Sequence, residues 1–338
     1  MPQIRKIVSI SEDSSIRLFP HWVMRMNQLG SEGIPFLFVL DFDLTSPMVL
    51  TFTEADERGI RFDIKNKYSV HESSAEINNI SWQSYPVSIE KYQVGFEKVK
   101  KAIQAGDTYL LNLCYATRLT GIASLEDIYN SANAPYKLCV ENKFVVFSPE
   151  QFVEIRDGVI STFPMKGTID AGIPNATQNL LDDIKEKEEH ATVVDLLRND
   201  LSIVAKNIQV KRYRYISEIR TSEKNLLQCS SEITGQLPED YRSRLGSIFY
   251  SLLPAGSVTG APKKRTVELI REIEPLERGF YTGVFGVFDG ENLDSGVMIR
   301  MIEKRGEEYY YRSGGGITYR SDMMQEYQEM IDKVYIPC

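Results

Sequence analysis

Cysteine and long apolar runs are scarce in this sequence of 338 residues. The cysteines are far apart and match neither a metal-ligand spacing nor a dense disulfide framework; they are Cys114, Cys139, Cys229 and Cys338. No apolar run approaches the roughly 20 residues that span a bilayer. The first residues, MPQIRK, also lack the apolar stretch of a signal peptide. We therefore expect a protein of the reducing cytoplasm that has no membrane partner.

An excess of positive charge is absent as well. The chain has 39 lysine and arginine residues against 47 aspartate and glutamate residues, and its net charge is −8. This charge argues against nucleic acid as the main partner, because no long basic stripe offsets it. If the substrate is an anion, local cations or a metal ion must reverse the field at the site.

Apolar segments paired around turns dominate what the sequence does contain. Residues 152–156 and 159–163 flank Asp157-Gly158, which is typical of a β-hairpin. Residues 36–43 predict a buried strand, and residues 88–105 predict a helix with Ser88 as its N-terminal cap. Helices inserted in blocks among such strands favour an α+β fold over a doubly wound parallel sheet.

No segment of low complexity divides the chain into separate domains. We predict a single domain over residues 1–338. Within it, residues 1–85 supply N-terminal strands that complete the fold, and residues 86–338 form the catalytic core.

Lys166 lies between Pro164 and Gly167, two residues that restrict or sharply turn the backbone. A charged helix is predicted over residues 180–199, and it carries Glu189. One interpretation makes Lys166 a chemical group and Glu189 a metal ligand. The alternative, a surface lysine on a turn and a solvated glutamate, is equally compatible with this stretch taken alone.

The last predicted helix carries Glu326, Glu329 and Lys333 at offsets that place them on one face. Two neighbouring carboxylates repel each other unless a divalent cation lies between them, and oxygen ligands of this kind suit magnesium. A solvated helix face is the alternative reading of the same pattern.

Three further features are candidates for binding or catalysis. The amides of Gly314-Gly-Gly316 can hold a carboxylate or phosphate. Arg300 lies in the apolar run 297–302, predicted as a strand, and needs an anionic partner there unless it forms an internal salt bridge or faces outward. Glu150, in a mostly apolar segment, becomes a general acid if burial raises its pKa.

Positive charge is concentrated where a helix is predicted to begin, at Lys263-Lys-Arg265. Cations are unfavourable at a helix N-terminus. A bound anion or a docked partner would explain the cluster, and a merely tolerated surface cluster would explain it equally well.

Taken together, the motifs resemble those of the chorismate-utilising enzymes, in that family's order and over roughly residues 85–338. The matching stretches are GDTYLLNL (106–113), SPEQF (148–152), PMKGT (164–168), Glu189 with VDLLRND (194–200), GSVTGAPK (256–263), Ile299-Arg300, GGGI (314–317) and EYQEMIDK (326–333). The lysine at 166 resembles the aminodeoxychorismate synthase component I type, because anthranilate synthases usually have alanine there.

The resemblance implies a fold and a set of roles. The fold is that of anthranilate synthase component I, a sandwich of two mainly antiparallel sheets flanked by helices. Lys166 is implied as the nucleophile and Glu150 as the acid that protonates the departing hydroxyl. The remaining implied residues are magnesium ligands, Glu189, Glu326 and Glu329, and substrate-binding residues, Arg300, Thr259, Gly315, Gly316 and Lys333.

The implied reaction converts chorismate and ammonia to 4-amino-4-deoxychorismate, on the way to para-aminobenzoate and folate. Nothing in the sequence resembles a glutaminase, so the resemblance implies a separate glutamine amidotransferase subunit as the ammonia source. Anthranilate synthase component I is the first alternative. A non-catalytic subunit that binds chorismate or the amidotransferase is the second.

Two residues depart from the family pattern. Leu110 stands where ammonia-using relatives usually have glutamine and water-using relatives have lysine, which argues against an isochorismate or salicylate synthase. Gln228 stands where the family has a histidine near the ring, and glutamine carries no charge near neutral pH. The Leu-Leu-Glu-Ser motif of tryptophan-sensing anthranilate synthases is absent, so no tryptophan feedback is expected.

Overall fold

The computed structural model describes residues 19–66, 68–69, 82–122, 124–220 and 225–337. Residues 1–18 and 70–81 of the predicted N-terminal part therefore lie outside the described residues. The helices are α1 (His21–Glu32), α2 (Phe52–Glu57), α3 (Ile89–Gln104), α4 (Leu125–Ser131), α5 (Ala176–Asp182), α6 (Ile184–Val204), α7 (Leu245–Leu252), α8 (Lys263–Ile273) and α9 (Met323–Asp332), with 3₁₀ turns at Tyr241–Arg244 and Gly256–Val258.

The strands alternate with these helices along the chain. They are β1 (Phe36–Leu40), β2 (Met48–Thr51), β3 (Ile60–Ile64), β4 (Tyr68–Ser69), β5 (Gln83–Tyr85), β6 (Leu110–Thr120), β7 (Tyr136–Val140), β8 (Phe144–Ser148), β9 (Gln151–Arg156), β10 (Val159–Thr162), β11 (Met165–Asp170), β12 (Lys206–Arg220), β13 (Asn225–Gln236), β14 (Gly260–Ala261), β15 (Val284–Phe288), β16 (Leu293–Val297), β17 (Met301–Arg305) and β18 (Glu308–Ile317).

Two antiparallel sheets form the centre of the described structure, which confirms the α+β prediction. The first has the order β11-β13-β10-β9-β16-β15-β1-β2, with β12 paired to β13. The second has the order β14-β6-β18-β17-β8-β7-β3-β4, with β5 paired to β6. No helix of the described residues is long and apolar enough to cross a membrane.

Apolar clusters on both faces of each sheet hold these layers together. Strand β1 shows the arrangement, because alternate residues serve different clusters. Phe36 and Phe38 pack with residues of α1, α6 and α7, whereas Leu37 and Val39 pack against the second sheet. On the other side of the second sheet, β6 and β18 pack against α3, α8 and α9. Burial on both faces explains why β1 reads as a continuous apolar run.

The predicted hairpin and helices are present in the structure, with small differences in their ends and caps. The hairpin at Asp157-Gly158 forms, and both turn residues have positive φ. The helix predicted over 180–199 is two helices, because Asp183 ends α5 and its side chain caps α6 by accepting from Glu186 N. Ser88 occupies the cap position of α3, but its side chain makes no capping hydrogen bond.

The chain crosses directly from one sheet to the other at two neighbouring places. Residues 149–150 lead from β8 in the second sheet to β9 in the first, and residues 298–300 lead from β16 in the first to β17 in the second. The crossings are bonded to each other: Phe147 N donates to Arg300 O at 3.0 Å, and Val297 N donates to Glu150 O at 3.0 Å. Glu150 and Arg300 are thereby fixed side by side.

Candidate active site

A cavity of about 240 Å³ opens at the two crossings. Its wall is made by both sheets, the 3₁₀ turn before β14, and helices α6 and α9. The lining residues that bear on its chemistry are Asn112, Cys114, Glu150, Lys166, Gln228, Ser257, Arg300, Gly314, Gly316, Glu329 and Lys333. The structure thus gathers residues as far apart in the chain as Asn112 and Lys333.

Arg300 is not inside a continuous strand, and that prediction was wrong. Strand β16 ends at Val297 and β17 begins at Met301. Arg300 has φ of 51°, a strained value for a residue other than glycine. Its guanidinium lies over the ring of Tyr335 at 5.2 Å, and its buried Nε has no hydrogen-bond partner among the described residues. A buried donor of this kind suits a carboxylate ligand.

The burial of Glu150 favours the protonated form of its carboxyl group. Burial raises the pKa of Glu150, although the Ser257 hydroxyl and the cations Lys166 and Arg300 act in the opposite direction. Ser257 Oγ donates to Glu150 Oε1 at 2.6 Å. A neutral carboxyl group held in this way can give a proton to a leaving oxygen.

Lys166 points into the cavity from an irregular part of β11. The pairing of β11 with β13 shifts register between Met165 and Thr168, and Gly167 has φ of 78°. This bulge is the structural role of the glycine beside the lysine. The Lys166 side chain is 23% exposed, and its Nζ lies 3.8 Å from Glu189 Oε2. The lysine is therefore neither in bulk solvent nor far from the carboxylates.

The glycines of β18 lie between the lysine and helix α9. Gly316 faces the cavity: a Cβ on it would be 3.6 Å from Lys166 Nζ and 3.8 Å from Asn112 Oδ1. Gly315 faces α9: a Cβ on it would be 3.2 Å from Glu326 Oε2. Any side chain at either position would fill space that polar groups now share. The glycines lie within the strand rather than after it.

Helix α9 presents Glu326, Glu329 and Lys333 on one face, as the sequence predicts. Glu326 is 3% exposed. Lys333 Nζ contacts Glu329 Oε1 at 2.6 Å and donates to Gly314 O at 2.9 Å. Lys333 thus joins the helix to the glycine strand while its side chain borders the cavity.

The carboxylate oxygens on α9 are suitable ligands for magnesium. A Cβ on Gly315 would lie 3.2 Å from an oxygen of Glu326 and 3.6 Å from one of Glu329, so the two carboxylates border one space. Magnesium usually takes one or two protein carboxylates and keeps several waters. Within the described ranges, no group of three or more His, Cys, Asp or Glu side chains is close enough to hold a metal ion. Glu189 is not clustered with the α9 pair, and the metal site stays a prediction.

Thr259 is enclosed behind the cavity wall. It is fully buried, and its Oγ1 donates to Ala255 O at 2.7 Å. The neighbouring residues Ser257 and Val258 line the cavity in its place. A direct contact between the Thr259 hydroxyl and a substrate remains a prediction.

Two of the three cations at the start of α8 are paired within the chain. Lys263 Nζ contacts Asp200 Oδ1 at 2.7 Å and donates to Leu252 O at 2.9 Å. Arg265 pairs with Asp107 and Glu268 at 3.4 and 3.2 Å. These partners account for Lys263 and Arg265 without a bound anion or a docked protein.

The two departures from the family pattern both lie at the site. Leu110 is 1% exposed, and its Cδ1 would be 2.9 Å from a Cβ on Gly316. Gln228 lines the cavity from β13. His190, beside Glu189, is buried and bonded to Ser231 at 2.6 Å, and burial lowers the pKa of His190 to about 4. That histidine is neutral near pH 7.

A buried ion pair supports the cavity, and sequence reasoning missed it. Arg278 and Glu274 are 1% and 2% exposed at their side chains and lie 2.7 Å apart. Arg278 donates to Val258 O at 2.8 Å and to Asn112 O at 2.7 Å. The pair thereby ties together two segments of the cavity wall. Their i, i+4 spacing in the sequence was the one available signal.

Breaking this pair is expected to destabilise the fold strongly. Arg278→Met leaves the Glu274 carboxylate buried without its cation, which costs about 3–5 kcal/mol of unfolding free energy. Urea denaturation measures the change. The matched control is Arg198→Met, which removes an exposed pair with Asp195 and should change stability by less than about 1 kcal/mol. Equal effects of the two substitutions would contradict a supporting role for Arg278.

Comparisons with known proteins agree with this architecture. The family model described as chorismate binding enzyme matches residues 53–337. An uncharacterised PabA-like protein of Haemophilus influenzae is 46% identical over 317 residues, covering 94% of this chain and 96% of that protein. The solved structure of anthranilate synthase component I from Streptococcus pneumoniae superposes with a TM-score of 0.64 at 27% identity, covering 75% of this chain and 59% of that one.

Two relatives with assigned activities are less similar to this chain, and both are longer. Anthranilate synthase component 1 1 of Haloarcula marismortui is 34% identical over 78% of this chain, and aminodeoxychorismate synthase component 1 of Escherichia coli is 32% identical over 75%. The matched part is 56% and 58% of those two proteins, respectively. The family model spans most of the chain, and the fold matches that of the solved relative. The chain belongs to the family of chorismate-binding enzymes.

Proposed function

We propose that this chain is an aminodeoxychorismate synthase component I, which converts chorismate and ammonia to 4-amino-4-deoxychorismate for para-aminobenzoate and folate synthesis. The observation that carries the proposal is Lys166. Its amine lines the same cavity as the Glu150 carboxyl group and the Arg300 guanidinium. Amination of chorismate through a covalent intermediate requires a nucleophile, an acid and a carboxylate-binding cation close together. This cavity brings one of each together.

Binding comes first. Arg300 and the backbone amides near Gly315 and Gly316 would hold the enolpyruvyl carboxylate, and Lys333 adds positive charge nearby. Glu326 and Glu329, which border one space, would hold magnesium, and Glu189, outside that pair in the structure, is proposed as a further ligand. Magnesium supplies a Lewis acid for the ring carboxylate when bound. Thr259 is proposed to help bind the ring carboxylate as well.

The first covalent step exchanges one bond for another. Lys166, as the neutral amine, attacks C2 of the ring. The two conjugated ring double bonds each shift by one position, and the C4–O bond breaks. Glu150 gives its proton to the departing oxygen, so that water leaves and Glu150 becomes a carboxylate. Hydroxide is a poor leaving group, and the neutral acid makes the departure feasible at moderate pH.

The second step reverses the first with nitrogen in place of oxygen. Ammonia forms a bond to C4, the bond between C2 and Lys166 breaks, and its electron pair returns to the lysine. The extra proton on the new amino group returns to the Glu150 carboxylate. The enzyme regains its starting state, and the sum is chorismate plus ammonia giving the amino product plus water.

Ammonia is proposed to come from a separate glutamine amidotransferase subunit. The described residues contain no free cysteine at the surface that could serve as a glutaminase nucleophile, since Cys114, Cys139 and Cys229 are all buried. The cytoplasm is the proposed location, in keeping with buried cysteines that form no disulfide among the described residues.

Anthranilate synthase component I is the second candidate, favoured by the relatives of that name. The test is to incubate the chain with chorismate, ammonium and magnesium and to identify the product by mass spectrometry. The expected product is 4-amino-4-deoxychorismate, with no anthranilate fluorescence unless a lyase is added. Omitting magnesium, or adding EDTA, should abolish turnover until magnesium is restored.

Two results would contradict the proposal. Anthranilate formed without added lyase would favour the second candidate. Chorismate binding without any aminated product, at saturating ammonium and magnesium, would favour a non-catalytic subunit.

A further inference from the structure

Asn112 lies in the stretch GDTYLLNL (106–113) and has no role in the mechanism proposed above. Alternate residues of β6 face opposite sides of the sheet. Leu111 and Leu113 pack toward the helices, whereas Asn112 and Cys114 line the cavity. In the run Leu110-Leu-Asn-Leu113, an amide therefore interrupts apolar residues at the point where the strand borders the cavity.

The orientation of the Asn112 amide follows from its partner. Nδ2 donates to the backbone oxygen of Ser257 at 3.1 Å. A carbonyl oxygen can only accept, so the nitrogen must face Ser257 and Oδ1 must face away from it. Among the described residues, none donates a hydrogen bond to that oxygen. Oδ1 is thus an acceptor at the cavity wall that is available to a ligand.

The Asn112 Oδ1 atom is near the groups proposed for both covalent steps. Oδ1 and Lys166 Nζ lie 3.8 and 3.6 Å from the same point, the Cβ position of Gly316. On the other side, Ser257 binds Asn112 through its carbonyl and Glu150 through its hydroxyl. Asn112 is thus close to the amine that would attack C2, and it is linked through Ser257 to the acid that would act at C4. The incoming nitrogen must bond to C4, so an acceptor in this place can orient it.

We propose that Asn112 Oδ1 accepts a hydrogen bond from the incoming ammonia and directs its lone pair toward C4 of the ring. The inference rests on the proposed function and adds to it the binding site of the nitrogen nucleophile. Leu110 faces the same region and has no polar atom, so the side chain two residues further along the strand supplies the acceptor. The C4–N bond forms as the bond between C2 and Lys166 breaks.

Steady-state kinetics with Asn112→Leu test the proposal. Ammonium is varied at saturating chorismate, and chorismate is varied at saturating ammonium. We expect the KM for ammonium to rise about tenfold, as for one lost hydrogen bond to a ligand, while the KM for chorismate changes by less than about twofold. Asn112→Leu also leaves the Ser257 carbonyl without the hydrogen-bond donor that Asn112 provides. Asn112→Ser, which keeps a hydroxyl group at this position, is therefore measured alongside it.

Two further variants separate ammonia binding from a structural role. Ser257→Ala breaks the link to Glu150 but keeps Asn112, and it should alter kcat and the pH profile without changing the KM for ammonium. Leu110→Gln in the Asn112→Leu background returns an amide to the same face of β6, and it should recover part of the lost ammonium affinity.

The outcomes are distinguishable. A wild type that aminates chorismate, with an unchanged ammonium KM in both Asn112 variants, overturns this inference alone. The same holds if the two KM values rise in parallel or if Ser257→Ala reproduces the full effect. A wild type that forms no aminated product contradicts the proposed function, and this inference with it.

Discussion

Lys166→Ala is expected to lower formation of 4-amino-4-deoxychorismate by about a thousandfold or more, the usual size of effect when a covalent nucleophile is removed. The residue lines the cavity, and its Nζ is 3.8 Å from the Glu189 carboxylate. Chorismate binding should persist, because Arg300 and the α9 residues are unchanged. Product formation is followed by mass spectrometry, and binding is followed by calorimetry.

The control for this loss is Lys187→Ala, which removes an exposed lysine of α6 and should leave turnover unchanged. Intact-protein mass spectrometry adds a direct test. The wild type, mixed with chorismate and no ammonia, should gain the mass of chorismate minus water, and Lys166→Ala should not. Unaltered turnover in Lys166→Ala would refute the nucleophile role.

Glu150→Gln is expected to lower turnover by about a hundredfold to ten-thousandfold, the usual contribution of a general acid. Glutamine keeps the shape and can still accept from Ser257, but it has no proton to give to the departing oxygen. The dependence of the rate on pH should also differ between the wild type and Glu150→Gln. The acid must be protonated, so wild-type activity is lost as pH rises through the raised pKa of Glu150. The residual activity of the variant should lack that alkaline limb.

The same pKa shift predicts an effect on stability, with a definite sign. Because burial raises the pKa of Glu150 in the folded state, the folded protein holds this proton more tightly than the unfolded chain. Stability is therefore lost as pH rises from the ordinary glutamate range through the raised value. Glu150→Gln should be more stable than wild type above that window and similar below it, by urea denaturation. Glu307→Gln, at an exposed turn, should follow the wild type throughout.

Much of the site chemistry was available from motifs, whereas its geometry was not. Pro164-Met-Lys-Gly-Thr168 indicated a constrained lysine, and the structure explains the constraint by a bulge in β11. The spacing of Glu326, Glu329 and Lys333 correctly placed them on one helix face. The sequence left Lys263 and Arg265 with several interpretations, because their acidic partners Asp200 and Asp107 are distant in the chain.

Arg300 shows where sequence patterns stop being informative. The run 297–302 is apolar on both sides of the arginine, so it predicts one continuous strand. The actual segment leaves one sheet and enters the other at Arg300. Since the residues are buried before and after the crossing, hydrophobicity does not change there. Only the pairing of β16 with β9 and of β17 with β8 reveals the crossing from one sheet to the other.

Short-range patterns were enough to predict the local elements and the kinds of chemical group. These are a hairpin at Asp-Gly, helices with amphipathic faces, and a lysine, acids and an arginine in recognisable motifs. These depend on side-chain period and turn chemistry, which act over a few residues. Tertiary structure alone decided that two sheet crossings bond to each other and hold Glu150 beside Arg300. It also placed Asn112 between Ser257 and Gly316 and buried the pair Arg278–Glu274 beneath the cavity. Such contacts come from strand register between distant segments, and no local pattern encodes that register.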